Sequence, residues 1–498
     1  MTGNDESVLP NGWVYGTLDQ IAFWGSGGTP SRQRPEFFRG NIPWIKTGEL
    51  GPKYLRSAEE HISPEAIEAS AAKRFPGGSV GIAMYGATIG KASIWGIEAA
   101  TNQACAVAQC YPGIFNEFLY YFLLSQQSAF IDAGKGGAQP NISQSILKAW
   151  QIALPPTAEQ RRIVAKIEEL FSELDKSVEA LTTSHDQLKA YRQSILKYAF
   201  EGRLTDEWRR RNAGRIESVE KLLARIPCPP RPNRWNTRTK DVIVGHPALA
   251  VGNPKTTLPD GWGWCQLADI ARMESGHTPS RKHPEWWGGD VCWIGIADAS
   301  EHDGQVIRET FQRTNPDGLA NSAARLLPAG TVCISRTASV GYVVVMGKEM
   351  ATSQDFVNWT PTPAVTSEWL RLIFGADKEA LRRFGKGSVH KTIYYPEWLS
   401  IHIALPPIEE QNTITARVER VLSDVEHQVN IIDNVFVRTN LLRQAILKRA
   451  FSGQLVAQDS AEEPASAVLD RIRVEQQRAT TKKEGSGKSV RNRKKKVA

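Results

Sequence analysis

Two sets of polar side chains, set among glycines and turn residues, are of the types that contact nucleic acid. Ser31-Arg32-Gln33-Arg34 and Ser280-Arg281-Lys282-His283 occupy equivalent places. So do Met84-Tyr85-Gly86 and Ser335-Arg336-Thr337. Gly134-Lys135-Gly136-Gly137-Ala138-Gln139-Pro140-Asn141 pairs with Gly385-Lys386-Gly387-Ser388-Val389-His390-Lys391-Thr392. Arginine, lysine, glutamine and asparagine pair with guanine, adenine and phosphate oxygens, and neighbouring glycines admit a close backbone approach. With Lys46 and Lys91 added, the candidate contact set in the first half is Arg32, Arg34, Lys46, Tyr85, Lys91, Lys135, Gln139 and Asn141. In the second half it is Arg281, Lys282, Arg336, Thr337, Lys386, His390 and Lys391. Taken singly, each is more often an ordinary surface group. Recurrence in both halves is what favours the set.

The recurrence extends along the chain. Leu9-Pro10-Asn11-Gly12-Trp13 returns as Leu258-Pro259-Asp260-Gly261-Trp262, and Thr29-Pro30-Ser31-Arg32 as Thr278-Pro279-Ser280-Arg281. Ala100-Thr101-Asn102-Gln103 returns as Ala351-Thr352-Ser353-Gln354, and Ile152-Ala153-Leu154-Pro155-Pro156 as Ile403-Ala404-Leu405-Pro406-Pro407. Ala199-Phe200-Glu201-Gly202 matches Ala450-Phe451-Ser452-Gly453. The chain is a tandem repeat with a period of roughly 251, each half built to one plan. The frame repeats while loop contents differ, as two readers of different half-sequences require.

Constellations for catalysis are missing. No polar residue precedes Pro155-Pro156, Pro406-Pro407 or Pro229-Pro230, so none forms the Asn/Asp-Pro-Pro-aromatic tetrad of a DNA amino-methyltransferase, and no GxGxxG follows a strand. Gly485-Ser486-Gly487-Lys488-Ser489 lacks the first glycine of a phosphate-binding loop, since Lys482 stands there. The nine histidines are dispersed without HExxH. Glu173 and Lys176 have ExxK spacing but read as solvated helix side chains. The sequence therefore predicts no catalytic residue, no metal site and no cofactor bound by this chain.

Net charge is a weaker guide than it first looks. The 498 residues carry 61 Lys+Arg against 53 Asp+Glu, a net of +8. Residues 482–498 hold eight of those bases and one acid, a net of +7, which leaves 53 bases and 52 acids in the rest. The excess lies in a Gly/Ser/Lys tail that reads as disordered. Composition otherwise suits a globular protein, with 41% hydrophobic and 23% charged residues. No run approaches a membrane span, and the acidic start lacks the pattern of a signal peptide. Cysteines 105, 110, 228, 265, 292 and 333 show no CxxC spacing, which predicts reduced thiols and a cytoplasmic location.

The elements that must position the loops follow from patterning. Residues from about 12 to 153, and their counterparts, have short apolar runs broken by turns, such as Phe75-Pro76-Gly77-Gly78 before Ser79–Met84. They predict α+β globules, each with a helix, near 116–130 and 367–383. After each Pro-Pro the period changes. Ile163, Ile167, Leu170, Leu174, Val178, Leu181, Leu188 and Ile195 form one apolar stripe at steps of three and four. Ile414, Val418, Val421, Val425, Val429, Ile432, Leu442 and Ile446 form the other. About 44 helical residues give a rod of roughly 65 Å. A narrow stripe cannot bury itself, and the favoured solution is an antiparallel pair of rods between two globules. Thr157 and Gln160 suggest a capping box that Ile408 removes from the second copy, and Gly202 and Gly453 suggest left-handed C-caps.

The expected fold class is thus α+β: two pseudo-symmetric α/β recognition globules joined by two long antiparallel helices in a coiled-coil-like spacer. The expected segments are a first globule over 1–155, a long helix over 156–203, a short helix and Pro-rich linker over 204–257, a second globule over 258–406, a second long helix over 407–454, a short helical segment over 455–481 and a basic tail over 482–498.

The plan of globule, Leu-Pro-Pro with Glu159-Gln160 or Glu410-Gln411, long helix and Ala-Phe-x-Gly-x-Leu, all duplicated, resembles the specificity subunit of type I restriction–modification systems. The resemblance covers nearly the whole chain apart from the basic tail, for which it supplies no role. It implies two target-recognition domains, each reading half of a bipartite asymmetric site on double-stranded DNA. It also implies helices that hold the halves apart and dock two modification (methyltransferase) subunits, with restriction/motor subunits as further partners. S-adenosylmethionine and adenine methylation belong to those partners, and the chain itself is no enzyme. A self-sufficient DNA methyltransferase or nuclease, and a non-DNA coiled-coil scaffold, are the rival readings.

Overall fold

The computed structural model describes residues 9–134, 141–230, 239–337, 339–387 and 391–478. Lys135, Gln139, His390, residues 231–238 of the Pro-rich stretch and the basic tail lie outside them. The chain divides into two units, one made of residues 1–182 and 433–498, the other of 183–432. Both divisions fall inside a long helix. Thr157–Phe200 and Ile408–Phe451 are each 44 residues long.

In the first unit a five-stranded sheet has the order Ala22–Ser26, Cys105–Cys110, Val80–Ala83, Ala92–Trp95, Tyr54–Leu55. A four-stranded sheet has the order Glu60–Ile62, Ile42–Ile45, Ala99–Thr101, Arg74–Phe75. Val14–Thr17 pairs antiparallel with Gln151–Leu154, which leads into the long helix. The second unit repeats this plan. Its five-stranded sheet runs Ala271–Ser275, Phe356–Pro361, Val332–Ser335, Val343–Met346, Val306–Ile307, and a three-stranded sheet centres on Trp287–Ile294. The register repeats as well: Trp44 lies opposite Ala100 in a parallel pair, as Trp293 lies opposite Ala351.

Residues 204–257 hold more than a short helix and a linker. Ile243–His246 and Leu249–Val251 form a hairpin that extends the sheet of Ile401–Leu405 and Gly263–Gln266. Their Gly, Pro and polar neighbours hide two short strands that only sheet pairing makes visible. The helices expected near 116–130 and 367–383 are each two. Asn116–Ser125 is followed by Gln127–Ala133, and Ser367–Gly375 by Lys378–Arg382, where the Asp377 carboxylate accepts from the Glu379 and Ala380 amides and starts a new helix.

Each unit is completed by the far end of the other repeat's helix. In the first, Leu447, Ala450, Ala465, Val468, Leu469 and Ile472 join the core formed by Leu18, Val80, Ile82, Phe118 and Ile163. In the second, Ile195, Leu196, Ala199 and Phe200 join Trp359, Trp369, Ile373, Ile414 and Val418. Burial of such side chains is the main stabilising term. Phe451 packs on Phe118 and Phe122, with ring centroids 5.2 and 5.4 Å apart. Phe200 packs on His246 and Trp369 at 4.4 and 6.0 Å.

The recurring motifs prove to be joints. Gly202 and Gly453 have φ of 69° and 72°, the left-handed cap foreseen from sequence. A Cβ on either would sit 2.5 Å from Pro259 or 2.3 Å from Pro10. The Leu-Pro-x-Gly-Trp segment therefore seats directly on the Ala-Phe-x-Gly terminus. The Glu-Gln pair after Pro-Pro is buried. The Gln160 amide donates to the Pro155 carbonyl and its oxygen accepts from the Phe115 amide; Gln411 does the same with Pro406 and Thr366. The capping box is thus not formed. Thr157 is already helical and donates to the Gly113 carbonyl at 2.7 Å, while Gln160 turns into the globule. Gln411 keeps these bonds beside Ile408, so the missing hydroxyl costs the second copy little.

On the long helices, Ile163, Ile167, Ile195, Ile414, Val418, Val425 and Ile432 are buried. Leu170, Leu174, Val178, Leu181, Leu188, Val421, Val429 and Ile446 are half-buried. Leu442 is 51% exposed and lies off the stripe. The inward steps run Val425, Ile432, Thr439, Ile446, which puts Arg443 on the inner face beside Thr439. Within the first unit the two helical segments run antiparallel: Arg443 ion-pairs with Asp175 and lies 5.0 Å from the Phe171 ring, while Arg162 pairs with Glu462 beyond the second helix's end.

Candidate nucleic-acid interface

The polar loops of each unit gather at one end of its five-stranded sheet, held there by bonds that recur. In the first unit the Gly28 amide donates to the Thr101 carbonyl, and the Trp44 indole donates to the Gly28 carbonyl at 3.1 Å. The Thr29 hydroxyl donates to the Gln103 side-chain oxygen at 2.5 Å. The second unit repeats the set: His277 amide to Thr352 carbonyl, Trp293 indole to His277 carbonyl at 3.1 Å, and Thr278 hydroxyl to Gln354. Backbone crowding enforces the turn. A Cβ on Gly27 or Gly276 would lie 1.9 Å from the carbonyl oxygen of Thr101 or Ser353.

The other loops join this frame. The Met84 amide donates to the Ala104 carbonyl and the Met84 carbonyl accepts from Ile142, bringing Tyr85 beside Asn141 in an isolated bridge. Tyr85 is 43% exposed and Asn141 is exposed too. Lys91 projects from the same hairpin tip. In the second unit the Arg336 amide donates to the Asp355 carbonyl, its Nε to the Gln354 carbonyl, and its own carbonyl accepts from Ile393. Thr337 donates to the Asp355 carboxylate at 2.8 Å. These bonds and the strand registers match Met84 to Arg336 and Tyr85 to Thr337, one residue off the pairing read from sequence, so corresponding hairpin tips carry different chemistry.

Aromatic rings pre-position the cations. The Arg32 guanidinium lies 4.2 Å from the Phe38 ring centroid and 5.4 Å from Trp44; Arg281 lies 3.8 Å from Trp287 and 5.4 Å from Trp293. Arg34 stacks on Phe37 at 4.0 Å and pairs with Glu36, and at the equivalent place His283 stacks on Trp286 at 4.1 Å and meets Glu285. The surrounding charges differ. Glu60 takes both Arg32 at 2.8 Å and Lys46 at 3.1 Å, and Glu59 takes Lys46 at 2.9 Å. The Arg32 guanidinium is the largest cause holding the Glu60 carboxyl below its ordinary range, and hydrogen bonding from Glu59 first, then Glu60, raises Lys46. In the second unit Arg281 donates to the neutral Gln312 amide at 2.5 Å. Among the described residues Arg281, Lys282 and Lys391 have no ion-pair partner. Lys386 is exposed, with its ammonium 2.8 Å from the buried Glu397.

Gln103, Gln354, Gln312 and the rings of Phe38, Trp286 and Trp287 were not among the residues singled out from sequence. The repeated Ala-Thr-x-Gln was the available signal for the first two. No group of three or more His, Cys, Asp or Glu among the described residues could hold a metal ion, and no helix there is long and apolar enough to cross a membrane.

Two sheet-based units of one plan, joined by long helices and each presenting a polar loop surface, define a duplicated recognition protein. The family described as Type I restriction modification DNA specificity domain matches residues 10–182 and again 259–433. The chain belongs to this family, as a type I restriction–modification specificity subunit carrying two copies of the domain that recognises DNA sequence. Among its relatives, the EcoKI specificity subunit of Escherichia coli K12 is 24% identical over 97% of this chain and 99% of that protein. The EcoDI specificity subunit of Escherichia coli is 26% identical over 76% and 80%. The MjaIX specificity subunit of Methanocaldococcus jannaschii is 26% identical, over 41% of this chain and 45% of that protein. The fold is similar to a chain in a solved type I restriction–modification system, with a TM-score of 0.66 at 18% identity over 90% of this chain and 99% of that one. It is also similar to the HsdS subunit of Thermoanaerobacter tengcongensis, with a TM-score of 0.50 at 17% identity over 91% and 100%.

Proposed function

We propose that each unit reads one half of a bipartite asymmetric DNA site through the loops just described, and that the long helices fix the spacer. The observation that carries this reading is the common loop frame with unlike contents: Met84 stands where Arg336 stands, Tyr85 where Thr337 stands, and Glu60 where Gln312 stands. The frame gives each loop set the same pose, and the contents select bases or bind phosphate. The reading domains correspond to 1–155 and 258–406, with the hairpin at 243–251 added to the second. Candidate contacts are Arg32, Arg34, Tyr85, Lys91 and Asn141 on one side, and Arg281, Lys282, Arg336, Thr337 and Lys391 on the other.

The helices also dock two modification subunits. Exposed apolar side chains along them, Tyr191, Tyr198, Val437, Leu441 and Leu442, support that role. Those partners bring S-adenosylmethionine and methylate adenine in the cytoplasm, flipping the base into their own pocket, and restriction/motor subunits complete the system. This chain contributes recognition and no catalysis.

The test is to insert or delete one helical turn near Leu174–Val178 and sequence the methylome. The spacer recognised should change while both half-site sequences persist. Altered half-sites with an unchanged spacer would overturn the reading.

A further inference from the structure

The internal duplication supplies its own control. Arg32 and Arg281 share a loop, an aromatic platform and nearly the same ring distances. They differ in what lies beside the guanidinium. Around Arg32 the described cations are matched: Arg32 by Glu60, Lys46 by Glu59 and Glu60, Arg34 by Glu36. Around Arg281 the partner is an uncharged amide, and the nearest acid cluster is over-matched, because Glu309 serves both Arg313 and Lys348.

An ion pair at such exposure contributes little to folding. Its effect on a polyanion is larger. A phosphate approaching Arg32 must displace or tolerate the Glu60 carboxylate, whereas one approaching Arg281 meets a cation already immobilised on two indoles and opposed by no carboxylate. Immobilisation on the rings lowers the entropy lost on contact, and a guanidinium can take two phosphate oxygens at once.

We infer that Arg281 is a phosphate anchor of the second unit, and that Glu60 masks the corresponding anchor, Arg32 with Lys46, in the first. This rests on the proposal that these loops face DNA. The consequence is an electrostatic division of labour. The second unit supplies the larger share of salt-dependent, sequence-independent affinity, and the first a smaller one.

Salt dependence reads this directly, since each phosphate neutralised adds about 0.9 to the slope of log K against log salt. The full chain, in the complex in which it purifies, is titrated with a random-sequence duplex of about 40 base pairs at several KCl concentrations. Arg281→Ala should weaken binding and lower the slope by about 0.9. Arg32→Ala should lower both clearly less than Arg281→Ala does. Glu60→Gln should tighten binding and raise the slope by one to two contacts, about 0.9 to 1.8. Adding Arg32→Ala to Glu60→Gln should remove part of that gain, a reversal that a mere folding defect cannot produce. Equal losses from Arg32→Ala and Arg281→Ala, or no gain from Glu60→Gln in a protein with unchanged melting temperature, would overturn the inference and leave the DNA-facing surface intact. Salt-dependent binding that none of these substitutions alters would overturn the placement of that surface, and the inference with it.

Discussion

Arg209 places its guanidinium 2.8 Å from the carboxylate of Glu410, a side chain with no exposed surface. The same carboxylate accepts from the Trp262 indole at 3.0 Å and from the Thr205 hydroxyl at 2.7 Å. At the equivalent joint of the first unit, Glu159 accepts from the Trp13 indole at 3.1 Å, but the third partner is the neutral Gln458 at 3.3 Å. One joint is an ion pair and the other is not.

Glu410→Gln should therefore be the more damaging substitution. It removes the closer counter-charge of Arg209, only 15% exposed, and leaves Asp206 at 3.6 Å, at a cost of about 2 kcal/mol. Glu159→Gln keeps an oxygen for Trp13 and should cost within about 1 kcal/mol. Denaturant midpoints of the two variants check the order.

The first unit's joint responds to acid. Burial pushes the Glu159 carboxyl above its ordinary value, outweighing the hydrogen bonds from Trp13 and Gln458. The folded unit thus favours the protonated form, so this side chain's contribution is greatest at acid pH and is lost as pH rises through its folded value. Gln458→Arg, which copies the second unit's arrangement, should stabilise the first unit at pH 7 relative to pH 4. An unchanged pH profile would count against the assignment.

His246 titrates with the opposite consequence. Burial holds its ring down to about 4 from 6.5, while Nε2 meets the Ile373 carbonyl at 2.9 Å and Nδ1 accepts from the Ala248 amide at 3.2 Å. The unfolded chain takes up its proton near 6.5 and the folded unit only near 4. Stability should therefore fall as pH drops from 6.5 to 4, by about 3 kcal/mol from this group. His246→Gln should flatten that slope in thermal melts at pH 7 and pH 4.5, whatever it costs at neutrality.

Gly202→Ala and Gly453→Ala each force a Cβ onto a proline ring at positive φ. Each should lose more than about 1 kcal/mol, and Pro259→Ala or Pro10→Ala should recover part of it by relieving the clash. Chemical denaturation of the single and double variants measures the recovery.

What sequence revealed and concealed follows from range. The 44-residue helices were legible because apolar spacing is local, and their ends because Gly202 and Gly453 must be left-handed. The stripe departs from expectation at Leu442, where hydrophobicity favoured leucine although position favoured Arg443, whose guanidinium lies over Phe171. The hairpin at 243–251 and the break at Asp377 were hidden by short, polar contexts. The meaning of the repeated Trp and Glu was concealed altogether. Trp13 meets Glu159 146 positions away, a contact with no local signature. Of the loop cations suspected from sequence, Lys386 serves the buried Glu397 and Lys46 serves Glu59 and Glu60, which only folding reveals.

Because the first unit takes Leu447, Ala450 and Phe451 into its core while the second needs nothing beyond residue 432, synthesis and completion run in opposite order. The later-made unit can close first. The earlier-made one must wait, core unfinished, until the ribosome has delivered the last long helix and the segment over 465–478. A stop codon introduced near residue 440 would therefore injure the amino-terminal reader and spare its carboxy-terminal twin.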